Sequence, residues 1–256
     1  HKPAESEVSI KLNVAFGKAL VNLERFPESV PAFEMALTTL NEANSSHALT
    51  DHSIAFPIFS GLFLLLKWGA IEQDDDHTYE QSLVAQFVDE ARLHGDPVHY
   101  VRALATQADT LARLGRFESA LSVNSQLRAV YVPEMHSEGI SKAYGSDRAA
   151  QNISLSAIWL IEIGKVKESL ETCDLVIHEL LPKMNLRNVH NSFAMILPIV
   201  WILKDNGKAS MARSILKEYV VDAFKEYFGE GASTYFLYLH SPMLMLLDLH
   251  GNQDGV

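Results

Sequence analysis

The chain has 256 residues, 48% of them hydrophobic and 21% charged, which is a globular composition. A net charge of −11 and a pI near 5.4 argue against the concentrated basic surface that nucleic acid or an anionic membrane requires. One cysteine excludes an internal disulfide framework and fits a reducing, cytoplasmic setting.

The first stretch, SEVSIKLNVAFGKALVNLERFPESVPAFEMALTTL, reads as two helices joined at Glu24, with Phe26, Ser29, Phe33 and Ala36 following the turn. The next, AFPIFSGLFLLLKWG, is apolar almost all round and reads as a buried helix. It is too short and too interrupted to cross a bilayer, which takes about 20 residues. EQDDDHT is a polar turn, whose acidic residues favour the N-terminus of a helix near Tyr79–Leu93. In VRALATQADTLARLGRFESALSVNSQLRAVY, Leu104, Ala108, Leu111, Gly115, Phe117 and Ala120 stand at offsets matching the first pair. From Tyr144 to Leu170, apolar Ile153, Ala157, Leu160 and Ile161 mark one helix face. Gly164 ends that helix, and a second runs from Val166 through Leu170 and Cys173 to Val176. NSFAMILPIVWILKDNG carries Pro198 inside a helical pattern, which predicts one bent helix and not two elements. STYFLYLHSPMLMLLDLHG, with Pro242, is read the same way.

Glu24, Gly69, Gly115, Gly164, Gly207 and Gly251 mark the successive turns, at intervals of 45, 46, 49, 43 and 44 residues. A fixed period between about 20 and 50 residues is the mark of a solenoid, each unit burying its apolar face by stacking on its neighbours. No alternating run flanked by hairpin turn residues predicts a strand. The expected fold is all-α: about eleven helices in antiparallel pairs, one repeat domain spanning 1–256. The terminal units lack a polar capping face, so the stretch is expected to be a piece of a longer array.

The chemistry-bearing residues form no catalytic pattern. No phosphate-binding Gly-rich loop ending in Gly-Lys-Ser/Thr occurs, which argues against nucleotide hydrolysis by this stretch. No His-Glu-x-x-His zinc motif stands among the 11 histidines, and His47, His52, His94 and His99 are read as solvated loop residues. Asp74, Asp75 and Asp76 lack the alternation, central Gly and closing Glu of a calcium loop. Cys173 falls on an apolar helix face as a small hydrophobe. The chain is therefore expected to hold no metal or cofactor and to be no enzyme.

The small residue at the helix crossing, then Gly-x-aromatic, then Ala three further on, resembles the tetratricopeptide repeat. Two stretches carry a narrower likeness. One is Tyr131-Val-Pro-Glu-Met-His136, followed by Tyr144-Gly-Ser-Asp147 and by Trp159-Leu160 before Gly164; the other is SFAMILPIVWILKDNGKASMARSIL. Together, over roughly Ala103 to Asp248, they resemble the tetratricopeptide-like C-terminal region of multidomain signalling ATPases, many of which also carry a class III adenylate or guanylate cyclase domain. Arg148 stands where that family often has proline.

The resemblance implies a right-handed α-solenoid of about five to six hairpins whose first helices line a concave groove, with any catalytic domains outside this chain. Matching offsets put Lys11, Lys18 and Asn22 in that groove, then Phe56, Phe59, Phe63 and Lys67, then Arg102, Asp109 and Arg113, and last Trp201, Lys204 and Asp205. Aromatic and Arg anchors are what a protein-binding groove uses, while large apolar residues are more often core, and for the Phe residues and Trp201 core is the preferred reading. The expected function is non-catalytic: scaffold or regulatory binding of a protein, a peptide or another domain of the same polypeptide. The alternative is a sensor of a small effector, coupled to an ATPase or cyclase elsewhere in the parent protein.

Overall fold

The computed structural model describes residues 3–46, 49–94, 97–184 and 189–222. The last sequence unit, with Pro242 and Gly251, lies outside them, as does His47. The described residues form helices joined by turns, without a strand. Eleven α-helices are found among them: α1 Pro3–Asn22, α2 Phe26–Ser45, α3 Ala55–Lys67, α4 Thr78–Leu93, α5 Pro97–Arg113, α6 Phe117–Val130, α7 Pro133–Tyr144, α8 Arg148–Glu162, α9 Val166–Leu175, α10 Val189–Asp205 and α11 Ala209–Leu216. A short 3₁₀ turn, His52–Ile54, leads into α3, and π-helical turns continue α9 and α11. The chain divides into two compact units, His1–Ala103 and Leu104–Val256, with the division inside α5.

Five turns share one geometry. Glu24, Gly69, Gly115, Gly164 and Gly207 all have positive φ, from 59° to 79°. In each, the residue's own N–H donates to the carbonyl three residues back, and the next N–H donates to the carbonyl five residues back, at 2.8–3.1 Å. This is the Schellman arrangement, which satisfies the last carbonyls of the helix. Glycine adopts positive φ without penalty, whereas Glu24 holds it at a cost of roughly 1–2 kcal/mol for an L-residue.

In the first unit α1 and α2 pack as a hairpin, α3 lies on both, and α4 packs on α3. Phe33 of α2 is the pivot. Its ring is buried, with Gly17 of α1 on one edge and Gly61 of α3 on the other; a Cβ on either glycine would overlap it. Between α3 and α4 lies an aromatic cluster in which Phe56, Phe59 and Phe63 face Phe87, with ring centroids 5.1–6.2 Å apart. Each such side chain contributes about 1.5–3 kcal/mol by leaving water. As expected, α3 is a mostly buried apolar helix. Asp74 accepts from the Thr78 N–H at 2.7 Å at the entry to α4, and the hydrogen bonds from the Thr78 hydroxyl and then its N–H hold its carboxyl below its ordinary range.

In the second unit α8 is central, packing on α6, α7, α9 and α10. Small and polar residues cover its buried surface, and several of them satisfy neighbouring carbonyls. Asn152 donates to Ala105, Ser154 to Met195, and from α9 Ser169 reaches the Ala157 carbonyl at 2.7 Å. Pro198 sits within one continuous α10. Cys173 is fully buried, and burial, with Asp174 close by, pushes its thiol up to about 12. It is a core residue, not a nucleophile.

Candidate functional site

α1 turns Ser6, Ile10, Val14, Gly17 and Leu20 inward, at steps of three and four. Its opposite face is also apolar. Val8, Leu12 and Phe16, spaced every fourth residue, are 56%, 65% and 59% exposed, and Leu23 continues the row at 66%. A row at this spacing is the ridge that one helix presents to the groove of another. Lys11, Lys18 and Asn22 are exposed and, at steps of seven and four, flank the row along one edge. Lys11 pairs with Asp51 at 3.3 Å. Glu7 accepts from the Thr50 N–H and hydroxyl and the Asp51 N–H at 2.5–3.1 Å. It thereby ties the segment ahead of α3 to α1, and those hydrogen bonds hold its carboxyl below its ordinary value.

The other predicted groove residues fall on separate helices. Phe56 and Phe59 are core, Phe63 is half-buried against Phe87, and Lys67 is exposed at the end of α3. Arg102 is half-buried on α5. Arg113 is held on its own helix, 3.7 Å from Asp109 and 3.2 Å from the Thr110 hydroxyl. Trp201 is 64% exposed, against the preference for a core position, with Asp205 exposed and Lys204 half-buried one turn on. A second exposed indole, Trp68, stacks on Phe26 at 5.5 Å with ring planes 4° apart.

The Tyr131 to Asp147 stretch is a structural lock. The Tyr131 hydroxyl donates to the buried Asp147 carboxylate at 2.6 Å, and Asp147 in turn accepts from the Ala150 N–H at 3.1 Å as the cap of α8. Burial, with Asp147 beside it, pushes the Tyr131 hydroxyl well above its ordinary range, so it remains a donor. His136 accepts from the Val132 N–H at 2.9 Å and closes the start of α7, and Gly145 ends it at φ 76°. The quoted motif residues thus join the end of α6 to the start of α8 across α7. The sequence had not indicated α7 as a helix of its own, and it fills the longest interval between turns.

Two features escaped the sequence reading. His52 and His94, placed on loops by their spacing, stack at a centroid distance of 3.4 Å, with the buried Glu90 carboxylate 3.8 Å from one and 3.5 Å from the other. In the second unit a cleft of about 490 Å³ is lined by Glu118, Asn124, Arg128, Lys165, Glu168 and Glu171, and the buried Asn124 Oδ1 in it has no hydrogen-bond partner. Nothing in the local pattern signals either one, because each unites residues from different helices. No family model matches the chain, and no curated protein or solved structure matches it.

Proposed function

We propose that this chain is a non-catalytic helical-repeat module that binds a helix of a protein partner, or of another domain of the same polypeptide, across the outer row of α1. The single observation behind this reading is the exposed row Val8, Leu12, Phe16 and Leu23. A contiguous apolar row on an otherwise acidic protein marks a contact surface. The five matching turns favour the further reading that the pairs stack as a right-handed tetratricopeptide-like solenoid with a period of ~45 residues. Lys11 and Lys18 beside the row favour a partner helix with an acidic flank.

The test is fluorescence-anisotropy titration of the full chain with amphipathic helical peptides that share one apolar face and differ in flank charge. Acidic-flank peptides should bind, and Phe16→Ser with Leu12→Ser should weaken them at least tenfold, since two buried anchors are lost. Lys11→Glu with Lys18→Glu should shift the preference to basic flanks. Equal binding by wild type and row variants, or no binding of any peptide, would refute the assignment. The polar cleft with its orphaned Asn124 oxygen favours the second reading, a small-effector sensor. A polar metabolite that protects α6 and α9 from hydrogen exchange, with no peptide bound, would support that reading.

A further inference from the structure

His52, Glu90 and His94 come from two places in the first unit. His52 opens the 3₁₀ turn ahead of α3, and Glu90 and His94 stand one turn apart at the C-terminal end of α4. One ligand atom from each lies within 4.8 Å of the others. His52 Nδ1 is 3.8 Å from Glu90 Oε1, and His94 Nε2 is 3.5 Å from Glu90 Oε2. Nitrogen and oxygen ligands at about 2.0–2.1 Å from a tetrahedral zinc stand about 3.3 Å apart, so each imidazole is within about half an ångström of that spacing from one of the two Glu90 oxygens, and ligation through a single oxygen needs the set to close from within 4.8 Å.

Three further features point to a ligand. His52 Nδ1 is buried and makes no hydrogen bond, an arrangement that costs stability unless something else takes its lone pair. The Glu90 carboxylate is buried, and Asn44 Nδ2 donates to its Oε1 at 2.9 Å, the outer contact that orients a ligating carboxylate. With both imidazoles neutral the cluster carries one negative charge, which favours a dication.

We propose that His52, Glu90 and His94 bind a divalent transition metal of the zinc, cobalt or nickel class. Two imidazoles and one carboxylate suit these borderline ions and not magnesium or calcium, which take oxygen ligands. Binding turns the two rings out of their stack so that their in-plane lone pairs converge on the ion. Partial exposure of both histidines leaves the fourth position to water. Joining the segment ahead of α3 to the end of α4, the ion acts as a clamp on the first unit.

The experiment is titration of the full chain with Co²⁺, read by its visible absorption, followed by displacement with Zn²⁺. Two-dimensional ¹H–¹⁵N imidazole spectra of the wild-type chain follow a parallel titration with diamagnetic Zn²⁺. Wild type should take up one equivalent with the intense bands of a four-coordinate site, and the His52 Nδ1 and His94 Nε2 resonances should shift together. Glu90→Gln, which keeps the shape of the side chain, should weaken binding by more than about a hundredfold, beyond what loss of an outer contact alone costs. His178→Ala, on an exposed residue of the second unit, should change nothing. If Glu90→Gln binds as tightly as wild type, or wild-type imidazole resonances of other histidines shift in place of these two, the site is not the one proposed. Uptake of Mg²⁺ or Ca²⁺ with equal affinity would overturn the donor-set argument.

Discussion

Gly61→Ala is the sharpest probe of how the first unit is packed. On an exposed helix this change would stabilise by about 1 kcal/mol, because alanine is the better helix former. Here the added Cβ would enter the Phe33 ring, and the ring cannot retreat, since the Gly17 Cβ position is only 2.7 Å from its far edge. Phe33 is 1% exposed, so no solvent-filled space accepts it either. Overpacking of a well-filled core costs about 1–3 kcal/mol, to which the helix gain is opposed, leaving a net loss of up to about 2 kcal/mol. In a Phe33→Leu background the obstacle is gone, so Gly61→Ala should become neutral or stabilising by up to about 1 kcal/mol. Native-state hydrogen exchange of α1, α2 and α3 amides reads both values without assuming that the whole chain unfolds in one step. A Gly61→Ala chain more stable than wild type, or effects that simply add in the double variant, would refute the two-sided contact.

Two more perturbations bear on particular groups. Tyr131→Phe leaves the Asp147 carboxylate without its phenolic donor at 0% exposure, and should lower the opening free energy of α8 by roughly 1–3 kcal/mol in the same exchange experiment. Glu7 and Asp74 have folded pKa values below their ordinary 4.5 and 3.8, so what they contribute is fully present above those values and is lost as pH falls through the lower, folded ones. Acid unfolding curves of Glu7→Gln and Asp74→Asn should accordingly fall less steeply below pH ~4 than that of the wild type.

The elements were legible where the chain encodes them locally. The turns at Gly69, Gly115, Gly164 and Gly207 could be placed because the residue that ends the helix announces itself, and Glu24 because its surroundings match theirs. α3 was legible from its unbroken apolar run, and the start of α4 from the acids ahead of it. What depends on residues far apart in sequence was not. Phe33 could be seen as apolar, but not as the ring between Gly17 and Gly61. His52 and Glu90 are 38 residues apart, and no spacing rule links them. Tyr131 and Asp147 were singled out as motif letters, with the hydrogen bond that joins them invisible. Repeat offsets pointed Phe56 and Phe59 at a groove, but their apolar character favoured the core, and the core is where they lie.

The same helix crossing is satisfied by different residues from pair to pair, and this explains where function can reside. Seven positions before the turn stand Gly17, Ala108 and Ala157, and five after it stand Ser29, Ala120, Ser169 and Ala212, all buried, while Leu62 and Val200 at the first offset and Asp74 at the second depart from the pattern. Where the small residues stand, the requirement is for small volume, not for a particular side chain, because close backbones leave no room for more. The turn bonds themselves are backbone to backbone and make no demand beyond tolerance of positive φ. Folding therefore constrains a few positions per pair tightly and leaves the outer helix faces and the segments between pairs open. The outer row of α1, with its flanking lysines, and the segment carrying His52 lie among those open positions. An apolar ridge in water and a buried imidazole nitrogen without a hydrogen bond each cost stability, so they are where the chain departs from what its fold alone would select.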